Sequence, residues 1–235
     1  MMKTNSLFAV VLLFGLLSTA FTQQASGPSE IANSVVQIVV KFTDEQSQER
    51  VQAVGTGFFV TDRIIATAAH IYWQSGQLLV GKRESGVFAR KVSSGKGFLV
   101  PIGGGRIDNQ HDLTTFEFDP AAIKRQWPEF VIKPLTLTKN DAEMGDRIFL
   151  IGFFEQDLNP IVSQGIVATS SAPDLYLDLH ASPGESGGPV LSVTTGQVIG
   201  VQSGIIQTTI SGNTQPAGLC KASRIKFLRE ILPTR

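Results

Sequence analysis

The chain is 235 residues long, and its 20 basic and 20 acidic side chains cancel to a formal net charge of zero. Without a long run of either sign, that balance argues against a dedicated nucleic-acid surface or a polybasic membrane patch. A single cysteine, Cys220, excludes an internal disulfide, so an exported chain of this kind depends on its apolar core and fits a bacterial compartment better than an animal one.

Lys3, the apolar residues 7–17 and the small residues Ser18 and Ala20 predict a cleavable signal peptide over 1–20. The apolar run is eleven residues long, short of the roughly 20 that a membrane-spanning helix needs. A secreted or periplasmic protein with no stable membrane association after cleavage is expected. Residues 21–34 begin polar and punctuated, and read as a flexible lead-in. From residue 35 onward come short apolar or alternating runs separated by Gly, Asp, Asn, Pro and Ser. They predict strands over 35–42, 51–60, 78–81, 87–92, 97–100 and 113–118, then over 147–151, 161–169, 175–179, 189–193, 198–202 and 217–220. A single helical turn is expected over 67–73. Ala222, Ile225, Leu228 and Ile231 recur at helical spacing and predict a closing helix before Pro233. Residues 119–134 lack strand alternation and read as a connection between two halves, about 35–119 and 135–235. Many short strands with few helical patterns point to an all-β sandwich or barrel.

The densest chemistry lies at Gly184, Glu185, Ser186, Gly187, Gly188 and Pro189. Glycines on both sides of Ser186 allow a sharp turn that presents a hydroxyl together with main-chain N–H groups. A serine is a weak nucleophile and needs a neighbouring base; taken alone, the hexapeptide also fits a glycine-rich turn with no chemistry. Its letters satisfy the G-x-S-x-G elbow of α/β-hydrolases too. That fold places its acid and histidine after the serine, whereas His70, His111 and His180 all precede Ser186. The remaining order is His, Asp, Ser: Asp112 lies 42 residues after His70, and Ser186 lies 74 after Asp112.

Four segments carry a resemblance in register. They are Gly55-Thr56-Gly57-Phe58-Phe59-Val60, then Ile65-Ala66-Thr67-Ala68-Ala69-His70, then His111-Asp112-Leu113, and the turn around Ser186. Together they resemble the trypsin-like serine proteases over nearly all of residues 35–232. The style is that of disulfide-poor bacterial branches such as the glutamyl endopeptidases and HtrA-type catalytic domains. The resemblance implies one protease domain over 35–235, built of two six-stranded antiparallel β-barrels with a short C-terminal helix. It implies His70 as general base, Asp112 as its orienting acid, Ser186 as nucleophile, and the N–H groups of Gly184 and Ser186 as an oxyanion hole. Ser203 resembles the family serine that hydrogen-bonds the triad aspartate, and Ser203, Gly204 and Ile205 would pair with an extended peptide substrate. His180, Ala181 and Gln202 fall where the family builds its primary specificity pocket. Trypsins carry an aspartate at the place of His180, so cleavage after Lys or Arg is not expected.

The chain also departs from its relatives. Glu185 stands where digestive proteases have an aspartate that pairs with a newly cut N-terminus, and no Lys or Arg lies between Lys3 and Lys41. Tryptic activation ahead of the first strand is therefore not expected. No stretch long enough for an HtrA-like regulatory module follows residue 232, so none is expected. His111 reads as a strand-edge residue and not a second base. One cysteine and three scattered histidines lack zinc spacing, and neither a metal nor a cofactor is expected. An exported serine endopeptidase acting on peptides or proteins follows; an inactive binding protein that keeps the fold is the competing reading.

Overall fold

The structure is a computed structural model that describes residues 27–170, 173–210 and 213–233. The signal peptide expected over 1–20 and the lead-in up to residue 26 lie outside the described residues. Strand β1 (Val35–Thr43) shows how sequence organises the first half. Successive side chains in a strand point to opposite faces, and here both faces are covered. Val36 and Ile38 enter the core of the first half, while Val35 enters a separate cluster shared with the second half. β1 pairs antiparallel with β2 (Glu49–Phe59) and β4 (Arg83–Ser93). With β3 (Ile64–Thr67), β5 (Lys96–Pro101), β6 (Ile107–Asp108) and β7 (Leu113–Glu117) they make a seven-stranded sheet ordered β5-β4-β1-β2-β3-β7-β6. Past β5 the chain returns to β7 through a bridge between Gly103 and Glu117, which curls the sheet on itself.

The second half closes fully. Strands β8 (Arg147–Phe153), β9 (Pro160–Thr169), β10 (Asp174–Asp178), β11 (Pro189–Ser192), β12 (Val198–Ile210) and β13 (Asn213–Arg224) form a closed barrel ordered β10-β13-β12-β11-β8-β9. Alternation along β8 decides how the halves join. Ile148 and Leu150 fill the barrel with Leu175, Leu177 and Val190. Phe149, Ile151 and Phe153 face the other way and pack with Phe58, Ala66 and Leu113 of the first half. The C-terminal helix α4 (Ile225–Ile231) seals that shared cluster with Ile225 and Leu228.

The all-β trypsin-like architecture and its closing helix agree with the sequence reading, and several details depart from it. The first half has seven strands and not six, because β3 and the two-residue β6 both enter the sheet. The strand predicted over 78–81 does not form. Leu78 and Leu79 complete helix α2 (Ala69–Leu79), which is far longer than a single turn and buries Ala69, Ile71 and Ser75. A short apolar run fits the end of a helix as well as a strand. The lead-in is folded from Pro28 on: α1 (Pro28–Ile31) and a 3-10 turn at Ala32–Ser34 bury Ile31 in the shared cluster. The connection holds helix α3 (Pro120–Gln126), started by Pro120 in its first turn and by Asp119, whose carboxylate accepts the Ala121 N–H at 3.0 Å. No helix among the described residues is long and apolar enough to cross a membrane.

Candidate active site

His70 lies in the first turn of α2, directly after β3, and its placement depends on one aspartate. The Asp112 carbonyl accepts the Ala69 N–H at 3.1 Å, and Asp112 Oδ1 accepts the His70 N–H at 2.8 Å. Asp112 Oδ2 then meets His70 Nδ1 at 2.9 Å and accepts the Ser203 hydroxyl at 2.6 Å. To do this Asp112 adopts a left-handed backbone with φ of 52°, a conformation non-glycine residues take mostly when they are Asn, Asp or His. Burial works to raise its pKa, but the hydrogen bonds from His70 and Ser203 outweigh burial and hold the carboxyl below its ordinary value. An ionised carboxylate only accepts, so Nδ1 carries the proton and a neutral His70 keeps a lone pair on Nε2.

Ser186 sits in the tight turn between β10 and β11. Glu185 N–H donates to Ser182 O at 3.2 Å, Gly188 N–H to Glu185 O at 2.9 Å, and Gly187 N–H to Gln202 O at 2.7 Å. The other half of the molecule bolts this turn through Thr56 on β2. Its N–H donates to Ser186 O at 2.8 Å, and its hydroxyl donates to Gly184 O at 2.7 Å while accepting the Phe153 N–H at 2.9 Å. Gly184 and Gly187 have φ of 97° and 85°; a Cβ on Gly187 would run into Thr67 Oγ1 and Thr56 O. Only glycine fits there. Among the described residues, the N–H groups of Gly184 and Ser186 have no intramolecular acceptor. His70, Gly184 and Ser186 line one pocket, whose far wall includes Ala53, Gln77 and Leu78.

Glu185 directly precedes Ser186 in this turn. It is fully buried, with Oε2 accepting the Ser182 N–H at 2.5 Å and Oε1 without a partner. Burial pushes its pKa up to about 7. No cation reaches it among the described residues, so neither an internal base nor solvent takes the role of the N-terminal amine.

His180, Ala181 and Ile205 line a second pocket together with Gly218 and Cys220. His180 is exposed, with Nε2 at 3.4 Å from Ser182 Oγ. Gln202 lies behind this pocket and not in its wall: it is 1% exposed, and its amide donates to Gly204 O at 3.1 Å. Ser203 points to Asp112, as described. Beyond Gln202, β12 pairs with β13 alone, which leaves the other edge of Ser203, Gly204 and Ile205 unpaired among the described residues. His111 binds Asp108 through Nδ1 at 2.6 Å and stacks on Phe227 of α4 at 3.5 Å, away from the pocket lined by His70 and Ser186. No group of three or more His, Cys, Asp or Glu suited to a metal ion occurs among the described residues.

The trypsin-like peptidase domain matches this chain over residues 55–201. The chain belongs to that family. No curated protein matches it. A solved HtrA-type protease, AlgW with a decapeptide, superposes on this trypsin-like peptidase with a TM-score of 0.62 at 17% identity. The match covers 86% of this chain and 64% of that one, so this trypsin-like peptidase spans under two thirds of the AlgW chain's length. The shared feature is the trypsin-like serine-protease fold. Sequence reasoning assigned no role to Thr56, although a threonine between two glycines in a buried strand is an available signal. It gave none to Gln37 or Glu155, whose surroundings come from distant parts of the chain.

Proposed function

We propose that this trypsin-like peptidase is an exported serine endopeptidase that cuts peptide bonds through an acyl-enzyme on Ser186. Ser186 Oγ attacks the scissile carbonyl carbon while His70 Nε2 takes the hydroxyl proton. The C=O electron pair moves to the oxygen, which receives hydrogen bonds from Gly184 and Ser186 N–H. As the tetrahedral centre collapses, the C–N bond breaks and His70 passes its proton to the leaving amine. Water then repeats the sequence and frees Ser186. Asp112 stays ionised throughout and stabilises the imidazolium.

The observation that carries this reading is the Asp112 clamp: one carboxylate fixes the His70 tautomer and backbone beside a pocket that also holds Ser186 and two uncommitted N–H groups. Extended peptides suit the free edge at Ser203–Ile205 by strand addition, and AlgW was solved with a decapeptide. His180 and Ala181 would receive the side chain before the cut. One catalytic unit over 35–235 would then use both halves. Export to the periplasm or beyond rests on Lys3 and the apolar run at 7–17.

Reaction with a fluorophosphonate tests the nucleophile. The expected result is one adduct per chain, mapped to Ser186 by mass spectrometry, absent in Ser186→Ala and strongly slowed in His70→Ala. A folded chain that takes no label would mark it as an inactive binding protein with a protease fold.

A further inference from the structure

Strand β1 buries a polar side chain in its middle. Gln37 is 1% exposed among Val35, Val36, Ile38, Val39 and Val40. A buried amide needs partners for its donors and its acceptor, and Gln37 finds both. Its Oε1 accepts from Arg90 Nε at 3.0 Å and Arg90 Nη2 at 2.5 Å, from the residue facing it on β4. Its Nε2 donates to Glu155 O at 2.8 Å and Asp157 O at 3.2 Å. The amide has only one workable orientation, because a guanidinium only donates and two carbonyls only accept.

Glu155 is what the Pro183–Gly184 peptide rests on. Its N–H donates to Pro183 O at 3.0 Å, and a Cβ on Gly184 would come within 2.6 Å of Glu155 N. Glu155 itself has a left-handed backbone, φ 44°, which a glutamate keeps only where its surroundings impose it. The C=O and N–H of one trans peptide point in opposite directions. Holding the Pro183 carbonyl on one side therefore turns the Gly184 N–H to the other, and a rotated peptide would lose the bond to Glu155 and withdraw that donor.

We infer that Gln37 is a positioning residue for catalysis: clamped by Arg90, it fixes the Glu155 segment and thereby keeps the Gly184 N–H turned toward the substrate oxygen. This rests on the reading of Ser186 as nucleophile with Gly184 N–H in its oxyanion hole. The link joins residues 118 apart in sequence, and makes the hole in the second half depend on a strand of the first. Substrate binding does not use it, so its loss acts on turnover.

The test compares wild type with Gln37→Met, which keeps side-chain length and removes the amide. The probes are a fluorogenic peptide that wild type cuts and a boronic acid on the same peptide, whose tetrahedral adduct places an oxygen in the hole. Rates are counted per site titrated by fluorophosphonate, so a partly unfolded sample does not lower them. We expect kcat to fall about 10- to 100-fold, less than the roughly 10²–10³ lost with a whole oxyanion donor. KM should stay within about threefold, and boronate affinity should fall in step with kcat/KM. If Gln37→Met does not fold, Arg90→Met frees the same amide from a half-buried position and should show the same split with a smaller loss. In whichever variant folds, kcat per site and boronate affinity within about twofold of wild type would overturn the assignment. A wild type that neither cuts peptides nor takes the fluorophosphonate would instead overturn the peptidase reading, and the Gln37 role with it.

Discussion

Asp112 shows how much one carboxylate arranges. It accepts hydrogen bonds from the His70 N–H, His70 Nδ1 and the Ser203 hydroxyl. Asp112→Asn keeps the shape but offers an NH₂ to Nδ1, which favours the tautomer with its proton on Nε2. In the trypsin-like triad that exchange costs about 10⁴ in kcat, and steady-state kinetics should show a fall of that order here with little change in KM. Glu185 makes a different kind of prediction. The unfolded carboxyl releases its proton near its ordinary value of 4.5, while burial holds the folded one until about 7. The folded state therefore binds more protons across that window, and stability falls as pH rises from about 4.5 to about 7. Glu185→Gln removes this slope. Urea unfolding at pH 5 and pH 8 should show the variant gaining on wild type at the higher pH; an equal gap at both would contradict a buried, raised carboxyl. His70, Asp112 and Ser186 were singled out in the sequence because nucleophilic catalysis suits those residue types and their order suits the trypsin-like family; the structure brings His70 and Asp112 into hydrogen-bond contact. The isolation of Glu185 was not legible there, since it depends on which side chains fold around it.

Elements carry the next layer. β2 places Thr56 against the Ser186 turn, where its hydroxyl serves both Gly184 O and the Phe153 N–H. Thr56→Val keeps the shape and leaves two buried groups unpaired, which should lower unfolding free energy by about 2–3 kcal/mol and reduce kcat by loosening the turn. A value near zero by denaturant unfolding would show that water replaces the hydroxyl. Most strands were legible from their alternation and turn residues, with β1, β2, β7 and β8 as clear cases. The error at 78–81 has a local cause: Leu78, Leu79 and Val80 form an apolar run too short to carry a period, and the helix before it decides their state. β12 and β13 are longer than their apolar stretches predict because they pair with each other, Thr209 with Thr214, beyond the end of the core.

At the scale of the molecule, the candidate site depends on both halves. His70 and Asp112 come from the first and Ser186 and Ser203 from the second, and the cluster of Phe58, Leu113, Phe149, Ile151 and Phe153 holds them in register. Ile151→Ala removes buried volume from that cluster and should cost about 2–5 kcal/mol. Because the cluster is shared, calorimetry should show a single transition at a lower temperature; two separated transitions would mean that the halves unfold independently. Residues 119–134 lack strand alternation in the sequence, and α3 forms there; the facing of Phe149 against Phe58 was not legible, since it needs the barrel to close first.

A Ser186 activated by His70 and Asp112 would cut peptide bonds. The most direct measurement is incubation of a diverse peptide mixture with the purified chain beside Ser186→Ala, with products read by mass spectrometry. Internal cuts by wild type should fall by several orders of magnitude in the variant, as loss of a triad serine does elsewhere (about 10⁶-fold). Equal cutting by both chains, or none by a folded wild type, would contradict that role for Ser186.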